Sequence, residues 1–186
     1  MPVRDAHAAD AEAIARVHVD SWRTTYKGII PQSYLDGLNV EMRANYWRHQ
    51  LGERDGPERQ PGLLPEWTIV LAEEDEQVVG FAAGGAERTG HASHSGELGA
   101  IYLLQEYQGR GIGRRLAEAM AGRLAAQGHS SMLVWVLAKN PARGFYEALG
   151  GRLIDRQTIT LAGARLDELA YGWDDILLLA RHSAAH

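Results

Sequence analysis

The stretch that most constrains this chain runs over residues 97–116, E-L-G-A-I-Y-L-L-Q-E-Y-Q-G-R-G-I-G-R-R-L. Leu98, Ala100, Ile101, Tyr102, Leu103 and Leu104 form a short apolar run, which predicts a buried strand. Gln108-Gly109-Arg110-Gly111-Ile112-Gly113 then lifts the chain out of that strand into a helix. Glycine at every second position leaves the backbone bare, so a ligand can lie directly against the N–H groups. The helix that follows turns its unpaired N–H groups and positive dipole end toward that turn. Arg110 and Arg114 add full charges. Two readings stand at this point: a site for a polyphosphate or another anion, or an ordinary tight turn between strand and helix.

Two nucleotide-binding classes fail on the residues that do their chemistry. A P-loop needs lysine and a hydroxyl after its last glycine, and here Arg114-Arg115 follow Gly113. A dinucleotide fingerprint needs a third glycine where Arg114 stands, and an acid at the end of the next strand, where residues 128–137 hold none. The net charge of −5 argues against a surface that coats nucleic acid. No cysteine is present, so thiolate chemistry and disulfides are out. His91 and His94 are three apart but have no second ligand pair, and no metal is expected. The first residues carry no apolar signal core and no run is long enough to span a bilayer, so a cytoplasmic protein without membrane contact is expected.

The flanks predict a single α/β domain over residues 1–186. Residues 2–5 read as an edge strand, 10–23 as a helix, 32–38 as a short helix and 40–51 as a further helix. Residues 52–65 read as a charged Pro/Gly-rich loop within the domain. Residues 67–72 and 77–87 read as a hairpin closed by an acidic turn at 73–76. Ile112, Leu116, Met120 and Leu124 form an i+4 stripe on the helix after the glycine turn. The apolar strand 131–137 follows, and strand, helix, strand in this order is a right-handed crossover joining two parallel strands. Asn140-Pro141 reads as an N-cap and first helical residue, and that helix ends at Gly150-Gly151. Residues 152–161 and 166–173 read as a final hairpin, an apolar candidate surface for a homodimer, and the tail beyond it as frayed at its end.

Q-x-x-G-x-G after a strand ending in I-Y-L, followed by an apolar strand and N-P-A-R-G-F-Y-E-A-L-G, resembles the GCN5-related N-acetyltransferase superfamily. The match covers about residues 97–151, and W-R-T-T-Y-K-G-I-I-P near the N-terminus looks like many bacterial members. The resemblance implies a mixed, mostly antiparallel twisted sheet with helices on both faces and one splayed parallel pair. It implies acetyl-CoA as cofactor, with Gln108, Gly109, Arg110, Gly111, Ile112, Gly113 and Arg114 around the diphosphate. Ile101, Tyr102 and Leu103 would bond the pantetheine arm by their backbone, as an added strand does. Asn140 matches a pantetheine contact, and Arg143 is a candidate for the nucleotide's phosphates. Gln105 stands where the family often has proline, and Gly151 where it often has an aromatic residue.

Acetyl transfer needs a neutral amine, a stabilised oxyanion and a proton for the leaving thiolate. Tyr146 matches the family's tyrosine near the CoA sulfur; the competing reading is a core aromatic. Glu97 matches a carboxylate that often acts through water as the base; the competing readings are a solvated charge at a strand start, or no dedicated base at all. The expected oxyanion donor is the Leu103 N–H. His18, Trp22 and Tyr26 either line the acceptor pocket or belong to the core. Asp36 and Glu87 could attract a cationic amine, but nothing singles them out. The expected activity is transfer to a primary amine of a small molecule by direct attack with both substrates bound. The rivals are a protein N-terminus or aminoacyl-tRNA as acceptor, or a catalytically silent acyl-CoA-binding module.

Overall fold

Strand order follows from the chain order with one crossover. The computed structural model describes residues 2–52 and 67–180, so most of the 52–65 loop lies outside the described residues. The strands are β1 (Val3–Asp5), β2 (Thr68–Glu74), β3 (Gln77–Ala86), β4 (Gly96–Leu103), β5 (Met132–Leu137), β6 (Arg152–Leu161) and β7 (Ala164–Trp173). They form one sheet in the order β1-β2-β3-β4-β5-β7-β6. Every pair is antiparallel except β4 with β5.

Helices cover both faces. Helices α1 (Ala11–Thr25), α2 (Gln32–Asp36) and α3 (Val40–Gln50) pack on one. Helices α4 (Ile112–Ala126), α5 (Arg143–Ala148) and α6 (Ile176–Ala180) pack on the other. The expected stripe Ile112, Leu116, Met120 and Leu124 is fully buried against the sheet. Helix α3 starts at the Asn39 cap, whose Oδ1 accepts from the Met42 N–H at 2.9 Å.

Three boundaries differ from the sequence reading. Glu73 and Glu74 stay in β2, and the acidic turn shrinks to Asp75-Glu76, both in the left-handed region at φ 50° and 64°. Two left-handed residues give the mirror-image turn whose twist matches flanking strands. The same solution at Ala162-Gly163 starts β7 at Ala164 rather than residue 166. Asn140 does not open an α-helix directly: its Oδ1 accepts from the Ala142 N–H at 2.9 Å, and α5 begins at Arg143. The tail begins as α6, with Ile176 and Leu179 buried beside α4, and its expected frayed end lies outside the described residues.

The functional geometry comes from the parallel pair. Strands β4 and β5 pair only at Gly96–Met132 and Glu97–Leu133. Past that point β4 stays with β3 and β5 with β7, and the two part. A β-bulge marks the place: the register with β3 slips so that Ala83 faces Ala100 while Gly84 faces Leu98, leaving Gly99 as the extra residue. The indole of Trp67 lies directly on Gly99, and a Cβ there would come within 1.9 Å of the ring. Gly99→Ala must therefore displace the indole or flatten the bulge. We expect a loss of about 1–3 kcal/mol, or a melting midpoint lower by about 2–12 °C in a domain of this size. An unchanged thermal transition would show that the indole moves freely.

Candidate active site

Between the parted strands lies a cleft of about 650 Å³. Ala100, Ile101, Tyr102 and Leu103 form one wall, and Val134, Trp135 and Val136 the other. The Leu104 N–H bonds to the Val79 carbonyl on β3. Backbone direction alternates along an antiparallel ladder, so Tyr102 also turns its N–H and C=O to β3, while Ile101 and Leu103 turn theirs into the cleft. Of the expected backbone rail, Ile101 and Leu103 fit and Tyr102 contributes only its side chain. The Leu103 carbonyl already accepts from Gln108 Nε2 at 3.2 Å and Ser21 Oγ at 3.3 Å. Its N–H is the group left pointing at a ligand.

The glycine turn forms one end of the cleft. Gly109 and Gly111 have φ of 74° and 76°, and a Cβ on either would meet nothing within 4 Å. Gly111 caps α4 with no side-chain cap bond. The first N–H groups of a fifteen-residue helix thus open onto unobstructed space, which fits a diphosphate. Gly113 serves packing instead, since a Cβ there would press on the Phe145 ring at 3.3 Å. Ile112 is a core side chain that can offer only its backbone. Arg114 lines the cleft and donates to the Ala148 carbonyl at 3.1 Å. Arg110 points elsewhere, paired with Glu74 at 2.6 Å and stacked over Tyr107. Arg143 is also engaged, donating to Tyr171 Oη at 3.2 Å and to the Ala138 carbonyl at 3.1 Å.

Over more than nine tenths of its length this fold is similar to solved acetyltransferases. It matches PaiA N-acetyltransferase from Thermoplasma acidophilum in complex with coenzyme A, with TM-score 0.69, 20% identity, and 92% and 98% of the two chains covered. It matches ribosomal-protein-alanine N-acetyltransferase from Brucella melitensis with TM-score 0.68, 23% identity, and 93% and 99% covered. The FR47-like protein family model matches residues 82–160. The chain is 39% identical to a Bacillus subtilis (strain 168) protein named uncharacterized N-acetyltransferase YuaI, across 95% of each. The chain belongs to the GCN5-related N-acetyltransferase superfamily. Its chemistry is acetyl-CoA-dependent N-acetyl transfer. Among the described residues no helix is long and apolar enough to cross a membrane, and no cluster of three or more His, Asp or Glu could hold a metal.

Three phenols converge in this acetyltransferase's cleft. Tyr146 and Tyr26 line it beside the Tyr102 wall. Burial pushes the Tyr146 phenol well above its ordinary value, and the neighbouring Tyr102 adds to that. Burial takes Tyr26 up to about 12, against hydrogen bonds with Tyr102 and Asn140. Asn140 is buried and lines the cleft beside them. All three phenols therefore keep their protons at neutral pH.

The other expected site residues lie elsewhere. Glu97 is buried but is not part of the cleft wall. Arg88 holds both of its oxygens, at 2.6 and 3.0 Å, and the Arg88 guanidinium lies over the Trp67 ring. Proton transfer by Glu97 would require Arg88 to release it. Trp22 packs against Tyr26 and Tyr34 behind the wall. His18 is in the core: its Nδ1 accepts from Trp47 Nε1 at 3.3 Å and its ring stacks on Tyr102. Burial, with Arg43 nearby, pulls its pKa down to about 3. The sequence reading gave Trp135 no place in the site, yet it is half-buried and lines the cleft. It missed Glu168 of β7, which lies on the Leu137 face of the sheet and carries a carboxyl raised by burial. The available signal was alternation: Leu166, two residues earlier, packs among Tyr26 and Leu137.

Two measurements check this geometry. Gly111→Ala forces an L-residue into the left-handed region at the cradle, and we expect coenzyme A to bind about 5- to 30-fold more weakly by calorimetry, as 1–2 kcal/mol of strain implies. Unchanged affinity would remove the cradle assignment. His18 has a folded pKa near 3 against about 6.5 unfolded. The unfolded chain therefore binds the extra proton, and this stability is intact above pH 6.5 and lost as pH falls toward 3, by up to about 1.4 kcal/mol per pH unit. His18→Gln should flatten that part of the acid-unfolding curve between pH 6 and 4.

Proposed function

We propose that the chain moves the acetyl group of acetyl-CoA to a primary amine of a small molecule, by direct attack with both substrates bound in the parted strands. The observation that carries this reading is the cleft itself: open amides at one end, a buried, protonated phenol in its wall, and an aromatic side beyond them. Acetyl-CoA supplies an activated thioester whose sulfur must leave with a proton. The amides of Ile112, Gly113 and Arg114 hold the diphosphate, with Gly109 and Gly111 clearing the approach. The Ile101 and Leu103 backbone would align the pantetheine arm, and the Leu103 N–H, which faces the cleft, would stabilise the charge that develops on the acetyl oxygen.

Tyr146 Oη holds the proton destined for the sulfur. A raised phenol pKa suits that task, since the group stays protonated until it is needed. Asn140 and Tyr26 border the same space and position the arm beside Tyr146. Helix α1 brings the hydroxyls of Ser21 and Thr24 to the opposite wall. The acceptor would enter from the Tyr26–Trp135 side.

A protein N-terminus is the rival acceptor, and the Brucella melitensis neighbour, a ribosomal-protein-alanine acetyltransferase, is an observation in its favour. Aminoacyl-tRNA is less well supported, because a net charge of −5 does not favour the basic face that phosphates require. Acetyl-CoA consumption with small amines and with alanine-terminated peptides separates these acceptors. With the best amine, we expect Tyr146→Phe to lower kcat about 100-fold, the usual scale for a general acid, while the acetyl-CoA KM stays within about twofold. Near-normal turnover in that variant would end the acid role. Coenzyme A binding without turnover on any acceptor would favour a silent module.

A further inference from the structure

Beside the cleft, on the face of the sheet that Trp135 shares, stands a carboxylate with no cation to match it among the described residues. Glu168 pairs in register with Leu137, and Ala170 with Trp135, so Glu168 stands diagonally across the ladder from Trp135 on one face. Leu166 and Leu137 on that face pack with Tyr26, which fixes the side the carboxylate occupies. Glu168 is electrostatically in reach of Tyr26 and of Glu97, and raises the pKa of the former. The two acids are partnered differently. Glu97 is neutralised by Arg88 at both oxygens. Glu168 accepts only from the uncharged Gln157 Nε2, at 2.9 Å, and no arginine or lysine pairs with it among the described residues.

A half-buried carboxylate without a counter-ion is costly, and the cost falls when a cation arrives. An approaching ammonium meets one negative charge beside two aromatic rings, an arrangement that attracts cations and repels a second carboxylate. We propose that Glu168 is the specificity-determining residue for the acceptor: it favours amines that carry no carboxylate next to the amino group, and disfavours free α-amino acids. This rests on the proposed function, and it narrows the substrate class at that site.

The test uses acceptors that differ by one charge, titrated into the enzyme saturated with coenzyme A. The set is 2-phenylethylamine, phenylalanine and phenylalaninamide, with butylamine and norvaline as a second pair. We expect the wild type to bind phenylethylamine and phenylalaninamide at least about tenfold more tightly than phenylalanine, the scale of a close charge pair. The amide arm separates charge from bulk. Glu168→Gln keeps the size and the contact with Gln157, and should shrink that preference to within about threefold, with coenzyme A affinity unchanged. Equal wild-type affinities, no amine binding, or a preference that survives Glu168→Gln would each overturn the role of Glu168. Failure to bind coenzyme A would instead overturn the proposed function, so the two ideas fail separately.

Discussion

The parting of β4 from β5 is the constraint on which the rest of this molecule depends. A sheet satisfies its backbone groups by pairing, and buried unpaired groups are costly. Here the pairing stops after two residues, at Glu97 and Leu133. Ile101 and Leu103 are thereby left with amides that face a cleft rather than a neighbouring strand. The bulge at Gly99 bends β4 away, and the Trp67 indole occupies the room that a side chain would take. Arg88 lies over that indole and ties down Glu97, one residue past the start of β4. Bulge, indole and ion pair thus act at the point where the strands begin to part.

Charge is distributed unevenly around that opening. At the glycine-turn end the groups facing open space are backbone amides, and two of the three expected arginines are engaged away from the cleft: Arg110 with Glu74, and Arg143 with Tyr171 and Ala138. At the middle stand phenols whose burial keeps them neutral. Next to the cleft, on the face shared by Trp135, Glu168 has no cation partner among the described residues. The glycine-turn end of the cleft thus favours anions, and the flank of the sheet that carries Glu168 favours cations.

Much of this was legible beforehand because the cofactor half is built from backbone. Backbone sites leave glycines at fixed spacing, and Gly109 and Gly111 do adopt the left-handed conformation such a turn needs. Periodicity likewise placed the α4 stripe and the parallel pair. Side-chain destinations were less readable. Glu97 looked available as a strand-leading acid, yet Arg88, nine residues earlier, claims both oxygens. His18 and Trp22 share a helical face that points into the core, and only Tyr26 reaches the cleft. Glu168 was passed over because its strand is half exposed, so alternation in β7 gives a weak signal.

The sequence alone determined the strand–turn–helix unit at residues 97–116, the crossover to β5 and the family, because these rest on local backbone chemistry and short-range periodicity. The tertiary structure decided which acid is neutralised and which has no cation partner among the described residues. Arg88 meets Glu97 across a hairpin, and Glu168 comes within electrostatic range of Tyr26 across the chain's length. Such pairings depend on where distant segments are brought together, and no spacing along the chain encodes them.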